Sequence, residues 1–227
     1  MKRTARTGFE RKRLARSGLT LLELLIALAL LSIVFSGVLD ATQRGLDLFQ
    51  RNSVQGDLHA RCSRATGRIA DALRPAVTGT LVPDLAPPAV GPDPGNVGVD
   101  FRSAAAWGAA GVVESTWDRI TFVRDPEELD NGVDDDGDGL IDEGRVVWTR
   151  RLGEADEQST VLAHGVREFL AGETENGLDD NGNGLVDEAG FCLSRVGDEV
   201  RILLSLERSM ENEFLVRTQS TSIALRN

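Results

Sequence analysis

A chain of 227 residues with 41% hydrophobic residues is long enough for one domain with a real core and for additional elements. The formal net charge of −11 is unevenly divided, because residues 1–18 carry a net charge of +6 and the rest of the chain therefore carries −17. So acidic a body repels a phosphate backbone, which excludes direct nucleic-acid binding as an expected function.

An apolar run follows the basic segment and extends from residue 19 to residue 39. At about 1.5 Å per residue it would form a helix roughly 30 Å long, which matches the hydrocarbon core of a bilayer. The basic segment is expected to stay in the cytoplasm, so that the chain crosses a bacterial inner membrane once and continues on the far side. Glu23 is the exception in this run, because a carboxylate near a membrane helix centre costs on the order of 3 kcal/mol and the run contains no basic partner.

The residues around this glutamate resemble the cleavage and methylation motif of type IV prepilins and type II secretion pseudopilins, in the order Arg16, Ser17, Gly18, Leu19, Thr20, Leu21, Leu22, Glu23. The resemblance implies that a prepilin peptidase in the membrane cuts between Gly18 and Leu19 and methylates the new amine. It also implies that Glu23, the fifth residue of the mature chain, pairs with the amine of a neighbouring subunit. The alternative is an uncleaved signal anchor with an isolated glutamate.

Residues 40–74 continue the helical period as the amphipathic half of one long helix. Apolar side chains at three- and four-residue spacings predict one stripe of an amphipathic helix, formed by Leu46, Phe49, Leu58, Cys62, Ile69 and Leu73. Pro75 ends this helix, since proline disfavours helical geometry in the residue before it. Residues 75–96 contain six of the seven prolines and predict a poorly ordered linker.

Residues 97–227 are expected to form a β-rich head in the periplasm. Short runs of alternating apolar and polar residues are typical of half-buried antiparallel strands, at 97–101, 119–124, 145–150, 165–170, 190–195, 199–207 and 214–225. One long helix followed by such a sheet predicts an α+β fold. The size and the strand order resemble the J type of pseudopilin and the W type of minor pilin.

Two acidic repeats interrupt the head 45 positions apart, in the loops 125–144 and 173–190. Each has oxygen-bearing side chains at alternating positions, then a glycine, an aliphatic residue and a carboxylate pair, a pattern that can wrap a cation of calcium's size. The loops resemble those of EF-hands, dockerins and thrombospondin-type repeats. They depart from the EF-hand at its twelfth position, where Arg145 and Gly190 replace the bidentate acid.

The expected calcium ligands follow from this pattern. In the first loop they are Asp134, Asp136, Asp138, the Leu140 carbonyl and either Asp142 or Glu143. In the second loop they are Asp179, Asn181, Asn183, the Leu185 carbonyl and either Asp187 or Glu188. We expect one or two structural ions, with weaker binding in the second loop because it has less ligand charge. The alternative is a pair of solvated acidic loops that bind nothing specific.

The two cysteines lie on the oxidising side of the membrane, Cys62 on the helix and Cys192 in a predicted strand. They can form one disulfide or remain two buried thiols. No nucleophile elbow, phosphate-binding loop or zinc-protease helix occurs in the sequence, so we expect neither an enzyme nor a small-molecule substrate.

These patterns predict a minor pilin or pseudopilin, a structural subunit that packs its apolar helix against other pilins or pseudopilins. The filament would be a type II secretion pseudopilus at the inner membrane or an extracellular type IV pilus. The alternative is a membrane-anchored calcium-binding adhesin or surface-display protein that uses a pilin-like anchor. Replacement of Glu23 distinguishes the two, because only a filament subunit needs that carboxylate.

Overall fold

The computed structural model describes residues 20–109, 111–210 and 213–225. One helix, α1 (Leu21–Leu73), and a 3₁₀ turn (Thr78–Thr80) precede seven strands, namely β1 (Gly98–Gly108), β2 (Gly111–Arg124), β3 (Gly144–Arg150), β4 (Gln158–Val166), β5 (Phe191–Val196), β6 (Glu199–Met210) and β7 (Glu213–Ala224). This is the predicted α+β fold, with a long apolar N-terminal helix followed by an antiparallel sheet. The leader 1–18 and the expected cleavage point between Gly18 and Leu19 lie outside the described residues.

The chain divides into two compact units, and the first ends at Arg51. Its described part is the N-terminal portion of α1, which is long and apolar enough to cross a membrane and whose side chains are all exposed. The apolar surface continues beyond residue 39, with Leu46 57% and Phe49 74% exposed. Both residues belong to the predicted amphipathic stripe, which is exposed in this unit.

The second unit begins at Asn52 and contains the rest of α1 together with the sheet. One face of the helix is buried here, and its residues Leu58, Cys62, Ile69 and Leu73 belong to the predicted stripe. They pack into one core with side chains of the sheet such as Phe101. Burial of each large aliphatic side chain contributes roughly 1.5–3 kcal/mol, so this stripe fixes the helix to the head.

The sheet has the order β1-β2-β3-β4-β6-β5, with β7 paired to the other edge of β6. Strand β7 pairs with β6 along its length, from Glu199 opposite Ala224 to Met210 opposite Glu213. Strand β5 covers only the first half of β6, and β4 meets it only where Val166 lies opposite Leu206. The two acidic loops are the β2–β3 and β4–β5 connections, so both are anchored to strands of one sheet.

The fourth strand is shifted from its predicted position. Residues 165–170 were expected to form it, whereas β4 runs from Gln158 to Val166. Gly165 has a φ of 62°, a left-handed conformation, and lies within β4 at the register shift between the Arg145–His164 and Gly144–Val166 pairs.

The proline-rich segment 75–96 has little regular structure, as expected, but it is packed onto the head rather than poorly ordered. Leu81 and Leu85 are both buried. Backbone bonds join Val82 to Asp100 in β1 and Asn96 to Leu193 in β5, in both directions and at 2.8–2.9 Å. The segment therefore covers part of the sheet instead of serving as a free linker.

Candidate functional site

Glu23 begins α1 in a reciprocal arrangement with Thr20. The backbone N–H and the hydroxyl of Thr20 donate to Glu23 Oε2 at 3.0 and 3.1 Å, and the Glu23 N–H donates to Thr20 Oγ1 at 3.2 Å. This is a capping box, which satisfies backbone donors that a helix N-terminus otherwise leaves free. The sequence analysis found no partner for Glu23 among basic residues and missed this one, although a threonine three residues before a glutamate is its signature.

The two acidic repeats fold into loops with the same backbone conformation. Positive φ values occur at matched positions 45 residues apart, in Gly132, Gly137, Gly139 and Asp142 and in Gly177, Gly182, Gly184 and Asp187. The first aspartate of each loop folds the chain over itself in the same way. Asp134 accepts from the N–H groups of Gly137 and Gly139 at 2.6 and 2.9 Å, and Asp179 accepts from those of Gly182 and Gly184 at 2.7 and 2.9 Å.

Each loop also contains a buried glutamate that lies before the acidic pattern. Glu128 accepts from the N–H groups of Asp135 and Asp136, both at 2.9 Å. Glu173 accepts from the N–H of Asn181 at 2.8 Å. Sequence reasoning did not select these two glutamates as site residues, although their identical offset in the two repeats was the available signal.

The structure distinguishes the two members of the final carboxylate pair. Asp142 turns toward the start of its loop and accepts from the N–H groups of Asn131 and Gly132 at 3.0 and 2.7 Å. The second loop repeats this, because Asp187 accepts from the N–H groups of Asn176 and Gly177. Asp142 and Asp187 therefore bond to the backbone at the start of their loops, and in the first loop the following glutamate lies beside the acidic side chains.

Glu143 occupies that position in the first loop. Its carboxylate lies within 4.8 Å of those of Glu128 and Asp136, and the carboxylates of Asp134, Asp136 and Asp138 form a second group at the same spacing. The structure thus brings together three of the predicted side chains with Glu143 and adds Glu128.

This cluster is electrostatically unfavourable by itself. Glu143 is only 4% exposed, and its Oε2 has no hydrogen-bond partner among the described residues. Burial, together with the neighbouring charges of Asp138, Glu128 and Asp136, raises the pKa of Glu143 to about 7. Burial and the nearby carboxylates likewise raise the pKa of Asp138. Since a buried, unpaired carboxylate is costly, the first loop fits a hard divalent cation that would supply the missing charge.

In the second loop the glutamate at the matching position is Glu188, and neighbouring side chains already provide hydrogen-bond donors for one of its oxygens. Asn181 Nδ2 donates to Glu188 Oε1 at 2.9 Å, and Asn183 Nδ2 donates to the same oxygen. The Oδ1 atoms of the two asparagines accept from the N–H groups of Asn183 and Leu185, which fixes the orientation of both amides. Glu188 is fully buried, and no described residue provides a hydrogen-bond partner for its Oε2, as in the first loop.

A third acidic group is an ion-pair network rather than a candidate metal site. Asp130, Asp142 and Glu168 lie within metal-binding distance of one another. The guanidinium of Arg124 contacts all three, at 3.2, 3.5 and 3.1 Å. Its positive charge offsets part of the group's negative charge, and it ties the first loop to the segment that leads into the second.

The two cysteines are free, and both are buried. Cys62 Sγ lies 3.6 Å from the carbonyl oxygen of Leu204, whereas Cys192 lies opposite Leu203 in the β5–β6 pair and packs with Leu185 in a separate apolar cluster. Successive residues of a strand face opposite sides of a sheet, so the sheet separates the two thiols. The disulfide that the sequence left open is therefore absent. Burial raises the pKa of Cys62 and raises that of Cys192 to about 12.

Residues 13–39 match the family model described as the prokaryotic N-terminal methylation motif. The chain carries a prepilin-type methylation motif. The resemblance predicted from the residues around Gly18 is thereby confirmed, and it supports a type IV pilin-like or pseudopilin-like protein with an N-terminal membrane anchor. Proteins of this kind are usually structural subunits that assemble with other pilins. No curated protein and no solved structure matches the chain significantly.

Proposed function

We propose that the chain is a minor pilin or pseudopilin, a structural subunit of a type II secretion pseudopilus or a type IV pilus. The observation that carries the proposal is the methylation motif at 13–39 leading into one uninterrupted helix of 53 residues. The large apolar side chains of that helix are exposed from Leu21 to Phe49, a surface suited to a bilayer and then to the helical core of a filament.

Before assembly, the leader 1–18 lies in the cytoplasm and the head lies in the periplasm. Prepilin peptidase cuts between Gly18 and Leu19. Glu23 then pairs with the cationic amine of a neighbouring subunit, since it is the one carboxylate in the run 19–39.

Calcium is the second part of the proposal. The first loop would hold the ion with Glu128, Asp134, Asp136, Asp138 and Glu143, and the ion would supply the positive charge that these carboxylates lack. The orphaned Oε2 of the buried Glu143 supports this assignment. The ion's role is structural, because the loop joins β2 to β3 and a neutralised loop holds both strand ends in register.

Processing and assembly are tested in the native host. Intact-mass analysis of the membrane protein should show the loss of residues 1–18. Glu23→Ala should abolish recovery of the chain with assembled filaments, whereas the control Ser36→Ala, in the same apolar run, should assemble normally. A chain that keeps its leader, or a Glu23→Ala chain that assembles like wild type, contradicts the proposal and favours the anchored adhesin.

The type of filament is tested by shearing. Immunoblotting of sheared surface material and of the inner-membrane fraction locates the subunit. Recovery in the sheared material assigns it to an extracellular pilus. Confinement to the inner membrane assigns it to a secretion pseudopilus.

Calcium is tested on the full chain in detergent by thermal unfolding with excess calcium and with EDTA. Binding at one hundred times Kd stabilises the folded state by about 2.7 kcal/mol, which corresponds to a rise in Tm of roughly 5–10 °C for a domain of this size. Identical melting curves contradict the calcium assignment and leave the pilin assignment untouched.

A further inference from the structure

The capping box at the start of α1 fixes where the helix begins. The Thr20 carbonyl accepts the first helical bond, from the N–H of Leu24 at 3.1 Å, while its side chain accepts from the N–H of Glu23. Thr20 is therefore the N-cap, and α1 starts at Leu21. The Glu23 side chain completes the arrangement by accepting from Thr20.

The position of this cap matters because of what precedes it. The expected scissile bond joins Gly18 to Leu19, immediately before Thr20. Hydrolysis requires water to add to the Gly18 carbonyl carbon, which breaks the C–N bond and leaves a carboxylate on Gly18 and an amine on Leu19. A peptide group held in a helix has its carbonyl engaged in the bond ladder, whereas a peptide group before an N-cap is outside that ladder.

The flanking sequence would otherwise favour a longer helix. Leucine dominates the run after residue 19, and Leu14, Ala15 and Arg16 are good helix formers on the other side. Gly18 alone weakens helix propagation by only about 1 kcal/mol relative to alanine. The cap at Thr20 favours a helix that begins at Leu21, just after the bond to be cut.

We propose that Thr20 is a positioning residue for processing. Its capping box with Glu23 sets the start of α1 at Leu21, so that Leu19 and Thr20 separate the helix from the scissile bond, and this keeps the bond available to prepilin peptidase. This inference rests on the proposed function. It assigns Glu23 a second role, as the partner of Thr20 in the precursor, in addition to its role as the partner of an amine in the filament.

The test follows cleavage of the full chain by prepilin peptidase in membranes, with the processed fraction measured by intact mass over time. Thr20→Val keeps the shape of the side chain and removes the hydroxyl, and we expect it to slow cleavage about fivefold, as the loss of an N-cap predicts. Thr20→Ser and Thr20→Asn both supply a capping oxygen and should restore the wild-type rate. Glu23→Gln, which still completes a capping box, should be cleaved faster than Glu23→Leu.

The outcomes separate the inference from the proposed function. If wild type is not cleaved at all, the proposed function fails. If wild type is cleaved and Thr20→Val is cleaved equally fast, the capping inference is overturned and the pilin assignment stands. If serine restores cleavage but asparagine does not, the peptidase reads the hydroxyl itself, which also overturns the positioning role.

Discussion

The first acidic loop (125–144) and the second (173–190) repeat the same backbone bonds, and they differ in the atoms that face their closing glutamates. In both, one side-chain oxygen at the second and third alternating positions accepts a backbone N–H two residues later, as Asp136 Oδ1 does from Asp138 at 2.9 Å and Asn181 Oδ1 from Asn183 at 3.0 Å. Asp136 then contributes a second carboxylate oxygen, whereas Asn181 contributes an amide nitrogen that donates to Glu188.

The same loop conformation therefore places a buried glutamate in two different surroundings. The first loop concentrates carboxylates around Glu143, and we expect a bound cation to compensate their charge. The second loop supplies its own donors, so calcium can bind there only after the Asn181 and Asn183 amides have turned over and given up their bonds to Glu188. We therefore expect the first loop to bind calcium more tightly.

The sharpest test exchanges the two side-chain pairs. Asp136→Asn with Asp138→Asn makes the first loop resemble the second, and calcium affinity should fall on the order of 100-fold because two ligand charges are lost. The reciprocal Asn181→Asp with Asn183→Asp should tighten calcium binding at the second loop. Titration calorimetry of the full chain in detergent measures both changes. If the exchange leaves both calcium affinities unchanged, the choice between carboxylate and amide at these positions does not determine how tightly the loops bind calcium.

Replacement of Glu143 or Glu188 by glutamine should change the free energy of unfolding in opposite directions. In EDTA, Glu143→Gln should stabilise the protein by about 1 kcal/mol because it relieves repulsion from neighbouring carboxylates. Glu188→Gln should destabilise it by about 1.5 kcal/mol because it weakens two buried amide hydrogen bonds that Glu188 accepts. In saturating calcium, Glu143→Gln should become destabilising. Urea unfolding in both buffers measures the change in stability of each variant. If both variants are stabilised, or both destabilised, in EDTA, the proposed difference between the loops is contradicted.

The loops also differ in their surroundings at one glycine. Gly139 and Gly184 have φ values of 90° and 93°, so alanine is strained in both and should cost about 1 kcal/mol. A Cβ at Gly139 would lie 2.5 Å from Ser209 Oγ, whereas a Cβ at Gly184 meets open space. Gly139→Ala should therefore cost about 1 kcal/mol more than Gly184→Ala in thermal unfolding. Ser209→Gly should recover most of that difference, and a difference that survives this change would point to another cause.

The comparison also predicts a pH dependence in EDTA. Because the pKa of Glu143 is raised to about 7 in the folded state, the folded protein binds more protons than the unfolded one between about pH 4.5 and 7. This group's contribution to stability should then decrease as the pH rises through that window, by at most about 1.4 kcal/mol per pH unit. Comparison with Glu143→Gln isolates the contribution, and an identical slope in the variant would exclude Glu143 as its source.

The elements with strong local patterns were predictable from the sequence. The long helix and six of the seven strands lie where periodicity and alternation placed them, because burial on one face imposes those patterns. The exceptions depend on tertiary surroundings. Leu46 and Phe49 share the helical period of Leu58 yet remain exposed, and only the three-dimensional structure shows where burial of the stripe begins. The position of β4 follows from its pairing with β3, from Arg150 opposite Gln158 to Gly144 opposite Val166, and the sequence does not show that pairing.

For the acidic loops, the sequence identified the repeats and the alternating side chains but not the direction in which each carboxylate turns. The choice between Asp142 and Glu143 depends on backbone N–H groups ten or more residues earlier, at Asn131 and Gly132. Glu128 was missed because it precedes the recognisable pattern and reaches it only through the folded loop. The calcium that these residues fit remains a prediction.

The placement of the two thiols on opposite faces of the sheet gives the chain two internal reporters of unfolding. Alkylation requires a thiolate and access, and burial denies both to Cys62 and Cys192 in the folded state. Cys62 becomes reactive when α1 separates from β6, whereas Cys192 becomes reactive when the cluster beside the second loop opens. The order in which the two are labelled under increasing denaturant therefore reveals which side of the sheet opens first, without the introduction of any probe.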